Sequence, residues 1–272
     1  MTNAIEANEL RKSFKAGGKM VQAVRGVSLS VSRGEIYGFL GPNGAGKTTC
    51  QRMLITLLPI EGGGATVAGY DVKKNPDEVR KHIGYVSQIG GADAPATGRE
   101  NLMLSGRLYG MKKADVKDKI TELAELLDVD EILDRIVRTY SGGQKRRPEI
   151  ALGIIHEPEV LFLDEPTTGL DPQNRANLWK HIRKLKERGM TIFLTTHYLD
   201  EADALCDRLA IIDHGQIIAE GTPMELKGQV TEEEIAERVR RETESRATLD
   251  DVFFKVTGRS LRDVGKDEGE SK

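Results

Sequence analysis

Two kinds of apolar pattern divide this chain, and they predict different elements. Short unbroken apolar runs lie in Glu35–Leu40, Ile83–Gln88, Val160–Leu163 and Thr191–Thr196, the mark of strands buried on both faces. Ile5–Phe14 and Ala23–Val31 alternate instead, with Val27, Leu29 and Val31 on one side, as strands with one covered face do. Ala65–Val67 reads as a short strand after a loop at Gly62-Gly63-Gly64. Arg208–Asp213 and Gln216–Ala219 predict a hairpin turning at His214-Gly215. Helical spacing appears in Lys47–Leu58, where Met53, Leu54, Leu57 and Leu58 make one apolar face. It returns at Pro76–His82, after Thr97, in Val116–Leu127 and in Glu131–Ile136. The stretch from Gly98 to Ile136 is therefore a helical insertion between two sheet segments.

Helix starts are unusually well signalled. Thr97 and Glu100 form one capping box and Ser141 and Gln144 another, the second opening a helix to about Ile155. Asp171 before Pro172 is an N-cap with proline at the first helical position, opening a helix to about Arg188, and Pro223–Leu226 starts a further helix.

Several strand ends carry candidate chemistry. Between the first buried run and its helix stands Gly41-Pro42-Asn43-Gly44-Ala45-Gly46-Lys47-Thr48-Thr49, which matches the phosphate-binding pattern G-x-x-x-x-G-K-[ST] at every defined position. Glycines let backbone amides turn toward an anion, and the helix N-terminus adds partial positive charge. Lys47 is placed to reach β- and γ-phosphates, and Thr48 to offer its hydroxyl to Mg²⁺. The strand–loop–helix context makes this chain a nucleoside triphosphate binder. Val160–Leu163 delivers Asp164 and Glu165, the first suited to holding Mg²⁺ through water, the second to orienting or deprotonating an attacking water. Gln88 ends its strand before Gly90-Gly91, where it can ligate Mg²⁺ or orient water while the loop hinges, or simply face solvent. Of five histidines, His197 alone ends a predicted strand, the edge at which open α/β sheets place their chemistry. Ser141-Gly142-Gly143-Gln144 is both a cap and an anion site without a lysine. Phe14 is either a strand-end aromatic or a stacking surface for a purine.

Composition narrows the setting. With 38% hydrophobic and 31% charged residues the chain can bury a real core, and a formal net charge of −3 gives no case for a nucleic-acid surface. Cys50 and Cys206 are too few for a disulfide framework, so a reducing compartment is expected. No N-terminal signal pattern is present, and no apolar run approaches the ~18 residues of a membrane helix. Work at a membrane would require another chain.

Taken in order, Phe14, Gly41–Thr49, Gln88, Ser141–Gln144, Val160–Glu165, Gly169-Leu170-Asp171 and His197 resemble the motifs of the ATP-binding subunit of an ABC transporter, across roughly Ile5 to Leu226. Finer texture resembles the daunorubicin-resistance class of drug exporters: Thr97–Leu102, Thr196–Asp203 and Leu249–Phe253. The resemblance implies an α/β P-loop NTPase of the ABC type, with a doubly wound core sheet, an antiparallel β layer and a helical subdomain over about residues 92–147. Residues 1–228 are then the ATP-binding domain and 229–272 a short charged extension. It implies an ATPase coupled to export of a drug, antibiotic or lipid-like substrate, peripheral at the cytoplasmic face of the cell membrane. Its permease is a separate integral membrane chain, and it forms a homodimer in which each ATP lies between one copy's phosphate loop and the other's signature. By the same resemblance, Lys47, Thr48, Gln88 and Asp164 are expected to hold phosphates and Mg²⁺, Glu165 to polarise water, His197 to contact the γ-phosphate, and Ser141 and Gly143 to complete the partner's site, with Asp171 at the interface. A non-transport ABC ATPase is the alternative, but the tandem cassettes or long heptad insertion of such proteins are missing here.

The chain departs from the family at Tyr140, where Leu is commoner, at Pro148 inside the signature helix, and in the shortness of its extension. Pro148 lies seven residues beyond the Ser141 cap, where a proline forfeits a hydrogen bond to the Gln144 carbonyl and is expected to kink the helix. Thr231–Arg246 reads as a solvated charged helix, Leu249, Val252, Phe253 and Phe254 as a small docking cluster, and Gly258–Lys272 as a frayed end.

Overall fold

The computed structural model describes residues 3–230 and 249–258. The buried runs become β3 (Ile36–Leu40), β6 (Ile83–Val86), β7 (Val160–Asp164) and β8 (Thr191–Thr196). Together with β9 (Arg208–Asp213) and β10 (Gln216–Gly221) they form a sheet in the order β10-β9-β3-β8-β7-β6. Neighbours are parallel except the β9–β10 hairpin at the edge. The alternating segments form β1 (Asn3–Ala16) and β2 (Lys19–Ser32), which pair antiparallel. With β4 (Gly62–Val67) and β5 (Tyr70–Asp71) they make a second sheet in the order β2-β1-β4-β5.

Strand alternation sends side chains of the parallel sheet into two cores. Tyr37, Phe39, Phe162 and Phe193 point toward the antiparallel sheet and meet Ile5, Leu10 and Val27. Ile36, Leu40, Leu161, Leu163 and Leu194 point the other way, into the core shared with the helical insertion. Phe193 sits among the aromatics, its ring centroid 5.8, 5.7 and 5.5 Å from those of Tyr37, Phe39 and Phe162.

A short helix, α2 (Pro76–His82), precedes β6, and the insertion after it contains α3 (Gly98–Leu108), α4 (Lys113–Leu127), α5 (Asp130–Leu133) and a 3-10 turn at Val137–Thr139. It leads into α6 (Gly142–Ile154), and both predicted capping boxes form. Buried Tyr140 ties the insertion together, its hydroxyl donating to the Ile132 carbonyl at 2.6 Å. The hydroxyl is what a leucine at this position would lack.

Three local expectations are corrected. The helix after the phosphate-binding pattern, α1, spans only Lys47–Leu54. Thr56 takes a φ of 66°, and Leu57, expected on the apolar face, is 58% exposed. Gly62-Gly63-Gly64 is part of β4 rather than a loop. Gly63 has φ +73°, and a Cβ there would lie 2.1 Å from the Asn8 carbonyl oxygen, so glycine lets two backbones touch. The helix expected through Ile136 stops at Leu133. Pro148 does not end α6, which runs on to Ile154 with the proline buried inside it.

The charged segment Thr231–Arg246 lies outside the described residues, as do residues 259–272. In the last described helix, Leu249–Thr257, Val252 is fully buried in the larger core while Phe254 is 53% exposed.

Candidate functional site

Parallel pairing brings the strand-end residues together. β3 lies between β9 and β8, and β8 between β3 and β7, with Leu40 opposite Thr196 and Asp164 opposite Thr195. Three adjacent strands thus deliver Gly41–Thr49, Asp164-Glu165 and His197 to one edge.

Glycine is required at two points of the loop. A Cβ at Gly41 would lie 2.2 Å from the Ile212 carbonyl oxygen, and one at Gly46, with φ +105°, 2.5 Å from that of Ala23. Asn43 and Gly44 form its exposed tip, while Pro42 and Ala45 are buried. The Ala45 amide bonds the Pro42 carbonyl at 3.2 Å, and the Ala45 carbonyl accepts from Gly215 at 2.9 Å. Buried Lys47 donates to the carbonyls of Gly41 (2.8 Å) and Pro42 (3.0 Å) and stands 3.3 Å from Glu165 Oε1. Burial lowers its pKa, against the opposing charge of Glu165. Thr49 follows in the first turn of α1, partly buried.

Around the acidic pair the groups converge tightly. Asp164 Oδ1 accepts from Thr195 Oγ1 at 2.7 Å and from Thr48 Oγ1 at 3.2 Å. Glu165 Oε2 accepts from Gln88 Nε2 at 3.1 Å and from Thr168 Oγ1 at 3.3 Å. His197 Nδ1 lies 3.2 Å from the same oxygen, within ion-pair distance but outside hydrogen-bond geometry. Glu165 takes a φ of 47° and is held by its amide, which donates to Thr195. Burial would raise its pKa, but the contact with His197 and the Lys47 charge outweigh it and hold the carboxyl down to about 2. Here a buried carboxylate of lowered pKa sits against the buried lysine of the glycine-rich loop.

Thr48, Asp164 and the free amide oxygen of Gln88 supply hydroxyl, carboxylate and carbonyl oxygens, a hard donor set that fits Mg²⁺. Among the described residues no cluster of three or more His, Cys, Asp or Glu forms a metal cage. Mg²⁺ characteristically uses one or two carboxylates and completes its shell with water and phosphate.

Phe14 and the Ser141 segment stand apart from this cluster. Phe14 is 39% exposed near the hairpin end of β1, opposite Val21, with Lys12 Nζ 5.5 Å from its ring centroid. Gly46 packs on Ala23 of β2, which brings that hairpin beside the phosphate-binding loop. Ser141 caps α6 through the Gln144 amide at 3.3 Å, and the Gln144 side chain answers the Ser141 amide at 3.1 Å. Ser141 and Gly142 are exposed, and a Cβ on Gly143 would lie 2.5 Å from the Asn174 side chain. Asp171 caps the helix α7 (Pro172–Glu187) through the Asn174 amide at 3.0 Å. Asn174 therefore joins the Ser141 segment to Asp171.

Sequence reasoning missed four residues here. Asn174 carries no signal beyond its capping register. Glu201, in the helix Leu199–Leu205, sits in a charged string yet is wholly buried, accepting from Trp179 Nε1 at 3.2 Å, and burial raises its pKa. Arg146 and Glu149 hide in the polar run after Gln144, yet Arg146 is buried and the two pair at 2.9 Å.

The ABC transporter family profile matches residues 24–168. The daunorubicin/doxorubicin resistance ATP-binding protein DrrA of Streptomyces peucetius is 48% identical over 229 residues, 84% of this chain and 68% of that protein. The Nod factor export ATP-binding protein I of a Rhizobium species is 44% identical over 220 residues, 81% of this chain and 71% of that one. Among solved structures, a Clostridium perfringens protein that is part of an ABC transporter complex superposes with a TM-score of 0.76 at 25% identity, over 89% of this chain and 96% of that one. A dimeric ATP-binding cassette in a post-hydrolysis state bound to ADP and Pi has a TM-score of 0.73 at 23% identity, over 80% and 98%.

Proposed function

Because the chain belongs to the ABC transporter family, we propose that it is the ATP-hydrolysing subunit of a membrane exporter and works through a separate permease. One observation carries this: at one sheet edge Thr48 meets Asp164, while Lys47 of the phosphate loop, Gln88 and His197 meet the adjoining Glu165. Relatives named for drug resistance and for Nod factor export support the direction of transport.

Phosphoryl transfer asks a protein mainly for positioning and charge stabilisation. The amides at the start of α1 face the phosphates, with the helix terminus adding positive potential. Lys47 turns from the Gly41 and Pro42 carbonyls to the β- and γ-phosphates. That movement takes its charge away from Glu165, whose basicity then rises from its low value, so the carboxylate becomes able to accept a water proton as nucleotide binds. Gln88 and His197 keep the Glu165 carboxylate oriented, and His197 reaches the γ-phosphate. Phe14 offers the purine a flat face. Thr48 and Asp164, with Gln88 nearby, would hold Mg²⁺, which would supply positive charge to offset that of the phosphates.

The Ser141–Gln144 end of α6 is exposed at Ser141 and Gly142, and its neighbour within the chain is Asn174. It is therefore assigned to the nucleotide of a second copy, in a homodimer with two sites that also involves Asp171. A cleft of about 580 Å³ between the glutamine loop and α3, lined by Leu57, Leu104, Leu108 and Tyr109, supports a permease contact there. Ile89 beside it is 95% exposed. Peripheral attachment at the cytoplasmic face of the membrane belongs to the same proposal; among the described residues no helix is long and apolar enough to cross a membrane.

Cysteine at exposed Ala94, or at Ala96, should crosslink to the permease in membranes, and mass spectrometry of the adduct identifies that partner. Crosslinks confined to the charged extension would reverse the assignment.

A further inference from the structure

Arg146 occupies a position that neither the phosphate loop nor the capping box explains. It lies in the second turn of α6, and its side chain turns inward until only 6% of the residue is exposed. Nη1 donates to the Ser87 carbonyl at 2.8 Å and to Glu149 Oε2 at 2.9 Å. Nη2 donates to the Gln88 carbonyl at 2.8 Å and to the Glu165 carbonyl at 3.3 Å. One planar fork thus grips the backbone of both residues that hold or activate water, and does so from the helix that begins with Ser141.

Glu149 completes the clamp. Its Oε1 would lie 2.0 Å from a Cβ placed on Gly90, so the glutamine loop passes directly beneath it. Gly90 has φ +87°, its amide bonds the Ser87 carbonyl at 3.2 Å, and its carbonyl accepts from Ser87 Oγ at 3.0 Å. The hinge expected at Gly90-Gly91 is therefore pinned at Gly90, while Gly91 has open space around its Cα. A buried guanidinium is costly unless fully partnered, and here three carbonyls and a carboxylate satisfy it. Lysine could not substitute, being a point charge without the fork.

We propose that Arg146 is a positioning residue that fastens the glutamine loop and the Glu165 peptide to the helix presenting Ser141–Gln144. A chain's own hydrolytic site and the anion site it offers a second copy then move as one unit. Nucleotide that draws Gln88 and Glu165 into place pulls on α6 through this side chain and so sets the Ser141 end for the facing site. The inference rests on the reading that Gln88 and Glu165 act on bound nucleotide.

The test uses the full chain and its Arg146→Gln and Arg146→Lys variants. Hydrogen exchange of peptides covering residues 41–50 and 138–147 is followed with and without ATP in EDTA, at a concentration where size exclusion shows a monomer so that no second copy's nucleotide covers Ser141, and steady-state turnover is measured with Mg²⁺. In the wild type ATP should slow exchange in both peptides. In Arg146→Gln it should slow only the first, with kcat down about 10- to 100-fold, the cost of misplacing catalytic groups by about 1 Å. KM should stay within about two-fold, because the proposed role of Arg146 is to align the groups that act in the transition state rather than to bind the nucleotide, so kcat and kcat/KM fall together. Arg146→Lys, which keeps the charge without the fork, should lose most of the 138–147 response too, and it carries the test alone if the glutamine variant does not fold. A 138–147 response that persists in both variants, or an unchanged kcat, overturns the proposal. No response at 41–50 in the wild type would instead overturn the nucleotide-binding reading beneath it.

Discussion

Replacing Pro148→Ala should stabilise the protein, and the structure sets the size of the effect. A proline in a helix interior costs about 3 kcal/mol relative to alanine, through its missing N–H and its clash with the preceding turn. Pro148 lies within α6 and is buried, so alanine forfeits the burial of roughly two methylenes at about 0.8 kcal/mol each. The net gain is roughly 1–1.5 kcal/mol, or about 2–6 °C in melting temperature for a domain of this size. Leucine is a poorer test. The gap beside Pro148, lined by Tyr140, Val137 and Leu152, holds only about 10 Å³, and overpacking costs about 1–3 kcal/mol, enough to cancel the gain. Calorimetry of the wild type, Pro148→Ala and Pro148→Leu should rank alanine highest, and turnover should rise in the alanine variant if the ring also tilts the Ser141 end. A melting temperature for Pro148→Ala at or below that of the wild type would refute the reasoning and show that α6 is built around its proline.

Glu165→Gln should bind ATP, lose most turnover and accumulate as a nucleotide-bound dimer on size exclusion; hydrolysis near the wild-type rate would remove Glu165 from the catalytic role. The same variant tests the low pKa. A carboxyl held near 2 against an ordinary 4.5 contributes stability that is present above about 4.5 and lost as pH falls toward 2, so acid unfolding between those values should be less steep in Glu165→Gln. Phe14→Ala should weaken ATP binding by about 1 kcal/mol, in line with a lost aromatic stack, and leave the melting temperature alone. An unchanged dissociation constant in a fluorescent-nucleotide titration would return Phe14 to a plain strand end.

Most strands and helix starts were legible because their signals are local. Unbroken apolar runs marked β3, β6, β7 and β8, and Thr97, Ser141 and Asp171 announced their helices through caps that form as expected. Helix ends were less legible. Leu57 continues the spacing of Met53 and Leu54, but the left-handed Thr56 turns the chain before it can be buried. The glycine run at residues 62–64 misled because a close crossing of two strands and an open loop both demand glycine. In the site, residues offering a side chain directly to chemistry stood out by type and position. Arg146, Glu149 and Glu201 did not, since a charged residue in a polar stretch reads as solvated, and only tertiary packing turned these three inward.

The in-register pairing of β3, β8 and β7 also acts as a ruler. Leu40 faces Thr196 and Asp164 faces Thr195, so the three strand ends are set against one another in steps of one residue. Deleting a single residue within β7 would turn every later side chain to the opposite face, exchanging the surroundings of Asp164 and Glu165. Length can change only where no ladder counts residues. The long excursion from Gly98 to Ile154 leaves the sheet after β6 and rejoins it at β7, and the tips of that excursion are where insertions and deletions should be tolerated without moving an atom of the strand-end cluster.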